Sequence, residues 1–269
     1  MTGGDSVLPP AWLSLGGVMR REDALADLLR AECTEPDEVI VASSVDRIDG
    51  VFATALVLRV ARHRARHPDG QVHLRLPTTL ATRKLLVELV GGAIDGLILD
   101  PSTDARALPE RCLLPATAIA DRDDAIAAAE YALHAGEAVS SFTAKRELLL
   151  FQAIAELGQN ALRYAEGAPT SPVLAATISQ RGVVEVVASD LGISISEASD
   201  PAKLLADVPG VRSGEGALAD LLRLGMTRKV SVSIEILSGT GRLRWRWSAH
   251  AASKKDYVPG TTVVVRIGS

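Results

Sequence analysis

Residues 148–165 read LLLFQAIAELGQNALRYA and residues 183–192 read VVEVVASDLG; the fold turns on how these two stretches are read. In the first, Ile154, Leu157, Ala161 and Leu162 recur at helical spacing, so one side of a helix can be buried. Glu156 and Asn160 are four residues apart, which sets a carboxylate and an amide on one face of that helix. Such pairs are also common on solvated helices. The second stretch is a Val-rich strand running straight into Asp190, Leu191 and Gly192. A carboxylate at the end of a buried strand can accept a hydrogen bond from an exocyclic amine, and a glycine lets backbone approach a flat ring. An ordinary turn uses the same residues, so a ligand site and a turn both remain open here.

Two further features follow downstream. Ser213-Gly214-Glu215-Gly216-Ala217-Leu218 opens an expected helix at 216–224, where free backbone N–H groups can cradle phosphate. Flexible entry into a helix is the competing explanation. Pro259-Gly260-Thr261-Thr262 leads into an expected strand at 261–267, where a threonine hydroxyl can bond a purine directly or through water. A tight turn before an edge strand would also use these residues.

The surrounding pattern is α/β. Helical spacing predicts helices at 21–33, 49–67, 81–90, 121–134 and 144–165. Short β-branched or alternating runs predict strands at 38–43, 72–76, 94–99, 173–178, 183–189, 230–237 and 242–248. Residues 1–18, rich in Gly, Pro and Ser, are expected to be a flexible arm. The three prolines between 101 and 115 mark an interdomain connection. At 269 residues the chain is long enough for two domains.

Composition bounds the function. Apolar residues make up 47% and aromatics 3%, so the core is expected to be Ala, Val, Leu and Ile. A net charge of −4 gives no overall field for a nucleic-acid backbone, and no nucleic-acid partner is expected. The basic run Arg59 to His67 alternates with apolar residues and reads as a solvated helix face. Cys33 and Cys112 are too few for a disulfide framework or a zinc site. No apolar run reaches the ~18 residues a membrane span needs, and a cytoplasmic location without a membrane partner is expected.

Taken in order, Glu156-Leu157-x-x-Asn160-Ala161-x-x-Tyr164, Asp190-x-Gly192, Gly214-x-Gly216-x-Leu218 and Gly260-Thr261-Thr262 resemble the successive nucleotide-binding boxes of the GHKL superfamily. Its members include gyrase B, heat-shock chaperones, MutL-type repair proteins, sensor histidine kinases and anti-sigma-factor kinases. The resemblance implies a histidine-kinase-like ATP-binding domain at 116–269, a Bergerat-type α/β sandwich. It implies that Asp190 holds the adenine amino group, Gly192 passes the purine and Thr261 or Thr262 closes the pocket. Asn160 would bind Mg²⁺, Gly214 and Gly216 would meet the phosphates, and 193–213 would be a mobile lid. Glu156 matches the glutamate that serves as general base in catalytically active relatives. The sequence departs from the family where Ser194 replaces the second glycine of the Asp-x-Gly-x-Gly box.

The run Ile48-Asp49-Gly50, followed by Ala53 to Arg59, a strand and Pro77 to Leu86, resembles a STAS domain and implies a STAS-like α/β layer at 19–115. Gly50 stands where that family carries a phosphorylated Ser or Thr. Together the resemblances imply a bacterial anti-sigma-type regulator that binds ATP and Mg²⁺ and switches protein partners, with a sigma-factor or STAS-type regulator as partner. An active serine/threonine kinase or ATP hydrolase using Glu156 is the enzymatic alternative; a degenerate interaction scaffold is the structural one. A sensor histidine kinase is disfavoured, because no histidine lies in a recognisable dimerisation helix directly before the ATPase unit.

Overall fold

The computed structural model describes residues 11–17, 21–45, 48–90, 97–99, 112–139, 142–165, 167–179, 181–192, 216–246 and 249–268. The chain is mixed α/β, with one parallel and one antiparallel sheet. The first runs β1 (Ala11–Gly17), α1 (Arg21–Arg30), β2 (Asp37–Val45), α2 (Gly50–Arg66), β3 (Gln71–Arg75), α3 (Leu80–Val90) and β4 (Leu97–Leu99). Its four strands pair in parallel in sequential order, as a βαβ succession requires. The second unit runs β5 (Cys112–Ala118), α4 (Arg122–Glu137), α5 (Ala144–Tyr164), β6 (Val173–Ile178), β7 (Val184–Asp190), α6 (Ala217–Arg228), β8 (Val232–Arg246) and β9 (Ala249–Ile267). Its five strands stand in the order β5-β6-β7-β9-β8, all antiparallel.

Helix α2 is the centre of the molecule. Asp49 caps it by accepting hydrogen bonds from the Val51 and Phe52 N–H groups, at 3.0 and 3.2 Å. Every residue from Gly50 to Val60 is buried, the condition of a helix enclosed on all sides. On one side lie the parallel strands; on the other α2 packs on β5, β6 and β7, with Val173, Ala175, Val187 and Val264 in the shared core. Helix α1 rests on β9 and α3 on β5. Helices α4, α5 and α6 cover the opposite face of the antiparallel sheet through Ile154, Leu157, Val186 and Ile234. That sheet is therefore buried on both faces. Its central strand β7 is buried throughout, an uninterrupted pattern that fits a strand in a sheet's interior.

Three expectations need correction. Residues 11–17, placed in the arm at 1–18, form β1 and pair with β2. Residues 112–118, partly assigned to the connection, form β5 and pair with β6, so the second sheet begins before the boundary drawn at 115/116. Arg59 and His63 are 1% and 0% exposed, not solvated. The Arg59 guanidinium pairs with Glu38, Nε to Oε2 at 3.1 Å, and donates to the carbonyls of Leu28, Ala31 and Glu32. Arg62 donates to Leu29 O at 2.6 Å. Two arginines of α2 thus satisfy the carbonyls left open where α1 ends.

The strands expected at 230–237 and 242–248 belong to one continuous β8. It turns sharply, since Arg242 Nε reaches Glu235 Oε1 at 2.6 Å. A straight strand would set their Cα atoms about 23 Å apart, beyond the span of both side chains. The register shifts at Ser238/Gly239 and Gly239/Gly241 mark the turn.

Arg59→Ala would strand the Glu38 carboxylate in the interior and is expected to lower the unfolding free energy by about 3–5 kcal/mol in urea denaturation. A loss below about 1 kcal/mol would show that this ion pair does not tie α2 to β2.

Candidate functional site

The β7–β9 register sorts the expected site residues by face. Asp190 stands opposite Thr261, and Thr261 stands opposite Ser238 of β8. This row shares the face of Val184, Val186 and Ala188, which pack with α5. The neighbouring row, Ser189 opposite Thr262 opposite Leu237, turns to α2. There Thr262 Oγ1 lies 3.0 Å from Ser189 Oγ, which lies 2.9 Å from Thr54 Oγ1, and Thr54 donates to Val51 O at 3.1 Å. Of the two hydroxyls assigned to one pocket, Thr261 is on the side of Asp190; Thr262 bonds into the layer behind the sheet.

Asp190 is 4% exposed and no cationic side chain among the described residues offsets its burial. Desolvation pushes its carboxyl from 3.8 up to about 7, against the opposing pull of backbone N–H bonds from Gly192 and Thr261. The Gly192 bond to Oδ1 is 2.9 Å long. A strongly perturbed carboxyl at a strand end is the kind of group that clusters at functional sites.

Two glycines permit this packing. A Cβ on Gly192 would come 2.1 Å from Tyr164 O, so the end of β7 lies directly against the end of α5. A Cβ on Gly260 would come 1.9 Å from Asp190 O, and its φ of 69° is in the left-handed region glycine favours. Ser238, which sequence reasoning missed, donates to Gly260 O at 3.2 Å and lies 3.0 Å from Thr261 Oγ1, fixing that hydroxyl. Its period-2 alternation within β8 was the available signal, but its partner depended on register.

Glu156 and Asn160 are half-buried on α5, the helix packed over β7. Their side chains make no hydrogen bond or ion pair among the described residues. The Asn160 amide oxygen is a hard donor that no described residue engages, which fits Mg²⁺. Gly216 is the N-cap residue of α6, with a φ of 98° and no side chain of its own to cap the helix's first N–H groups. Gly214, Ser194 and the expected lid at 193–213 lie outside the described residues. Among the described residues no group of three or more His, Cys, Asp or Glu could hold a metal, and no helix is long and apolar enough to cross a membrane.

Against known proteins, no family model, curated protein or solved structure matches the chain.

Burial of the Asp190 carboxyl makes the stability of the fold depend on pH. Below pH 3.8 the carboxyl is protonated whether folded or unfolded, and its contribution is fully present. As pH rises toward about 7, the unfolded chain releases this proton first, so that stability is lost. Relative to Asp190→Asn, the wild type is expected to lose on the order of 2–4 kcal/mol between pH 4 and 8 in urea titrations. A constant difference between the two proteins would mean that Asp190 is well solvated.

Proposed function

We propose that this chain is a nucleotide-dependent regulatory protein that binds ATP and Mg²⁺ between α5 and the β7–β9 strands and switches protein partners. The observation that carries the reading is the buried Asp190 carboxylate, with no cation against it among the described residues, in one row with Thr261 and beneath a helix bearing Glu156 and Asn160. Adenine offers an exocyclic amine donor, and a desolvated carboxylate is a strong acceptor for it. Thr261 supplies a neighbouring hydroxyl. Asn160 would hold Mg²⁺, which neutralises phosphate charge when bound. Gly216, at the start of α6, and Gly214 upstream of it would receive the phosphates on backbone N–H groups.

The second unit is taken as a Bergerat-type sandwich and the first as a STAS-like layer, joined into a bacterial anti-sigma-type regulator. The switching proposed here does not run through phosphorylation at Gly50: a Cβ there would come 2.9 Å from Val187 Cγ2, so a Ser or Thr would press on β7. The partner class that fits is a sigma-factor or STAS-type regulator, responding to nucleotide state through the surface near α5.

An enzymatic reading is favoured by one observation. Glu156 is half-buried and has no side-chain partner among the described residues, so its carboxylate is available as a general base toward water or a hydroxyl.

Calorimetric titration with ATP and Mg²⁺ tests the binding claim. A saturable site is expected, and Asp190→Ala should weaken it at least about tenfold, the scale of a buried charged hydrogen bond. Absence of heat in the wild type would leave an interaction scaffold instead. With labelled ATP in single-turnover conditions, Glu156→Ala should abolish phosphate release or transfer while keeping binding within about threefold. No turnover in the wild type would remove the kinase and hydrolase readings.

A further inference from the structure

A concavity of about 370 Å³ opens between α1 and α2 on one side and the chain around Leu191 and Pro259 on the other. Its volume falls in the range of roughly 300–1,000 Å³ typical of small-molecule sites. Arg30 at the end of α1 and Arg62 of α2 form one wall with Leu29. The facing wall is Leu191, next after β7, with Pro169 and with Tyr257 and Pro259 of β9.

The charge in this cleft is one-sided. Among the described residues, its lining holds neither aspartate nor glutamate. Arg62 is fixed by its 2.6 Å bond to Leu29 O, its one hydrogen bond among the described residues. A guanidinium has five N–H donors in a rigid fork, so most of its capacity is left for a ligand. Arg30 is exposed and has no hydrogen bond or ion pair among the described residues. Arg59 nearby differs, since Glu38 neutralises it. Two guanidinium groups with no acidic partner among the described residues, beside leucine and proline surfaces, match a molecule with an anionic end and an apolar body. The Tyr257 side chain, 45% exposed, offers a ring for a flat body to lie against.

We propose that this cleft binds a small organic anion, an aromatic body carrying one carboxylate or sulfonate, with Arg30 and Arg62 holding the charge and Tyr257 the ring. The proposal does not rest on nucleotide binding, because neither Glu156, Asn160, Asp190, Thr261 nor Gly216 is among the residues that line this cleft.

Fluorescence titration with anilinonaphthalene sulfonate tests it, with the uncharged analogue N-phenylnaphthylamine as the second probe. The sulfonate is expected to bind with one-to-one saturation, and the neutral probe at least about tenfold more weakly. Arg30→Glu and Tyr257→Ala, both at exposed side chains, should each raise the sulfonate's dissociation constant, the first by at least about tenfold. Asp190→Ala should leave it unchanged, which separates this cleft from the nucleotide pocket. Urea denaturation of each variant would confirm that the fold is retained, and Arg30→Gln would stand in if Arg30→Glu failed that check. Equal affinity of the two probes, wild-type affinity in both cleft variants, or loss of the signal in Asp190→Ala would overturn the assignment.

Discussion

Seven consecutive residue pairs join β7 to β9, from Val184 opposite Ile267 to Asp190 opposite Thr261, and the faces on which Asp190, Thr261 and Thr262 stand follow from that register. Because side chains alternate along a strand, a slip of one position would turn Asp190 toward α2 and Ser189 toward α5. Both outcomes are resisted. Val186 and Ala188 fit the core beneath α5, while Val187 fits the core against α2. A sheet with two buried faces specifies its register from both sides, and the strand-end carboxylate is placed by packing several residues away from it.

The layer behind the sheet extends this constraint. Helix α2 reaches β7 through the hydroxyl chain of Thr54, Ser189 and Thr262, all of them essentially buried. The same helix satisfies the end of α1 through Arg59 and Arg62. The strands that carry Asp190 and Thr261 are thus held between two packed helical layers, the kind of support that keeps a site's geometry fixed. Against that rigid background the desolvation of Asp190 is a local cost that the surrounding packing sustains.

Much of this was readable in the sequence where periodicity and burial agree. The helix at 144–165 and the strand at 183–189 match α5 and β7 closely, because an amphipathic stripe and a Val-rich run each have one good interpretation. Strand β5 escaped because Pro115 looks like a break. It is tolerated because β5 is at the sheet's edge, and the register shifts between Leu114 and Thr117. Strand β1, AWLSLGG, is likewise an edge strand hidden by its Gly and Ser content. The burial of Arg59 was invisible for another reason: its partners, Glu38 and the carbonyls at the end of α1, come from other elements. Thr261 and Thr262 could not be ranked, since their faces depend on which residue stands opposite Asp190.

The central claim is that Asp190 receives a purine while Asn160 meets its metal-bound triphosphate. A crystal structure of the full chain with a non-hydrolysable ATP analogue and Mg²⁺ tests it most directly. The account predicts the purine amino group within hydrogen-bond distance of the Asp190 carboxylate, with the phosphates running toward Asn160 and the start of α6. An analogue bound elsewhere, or a space beside Asp190 filled by the protein's own side chains at saturating nucleotide, would contradict it.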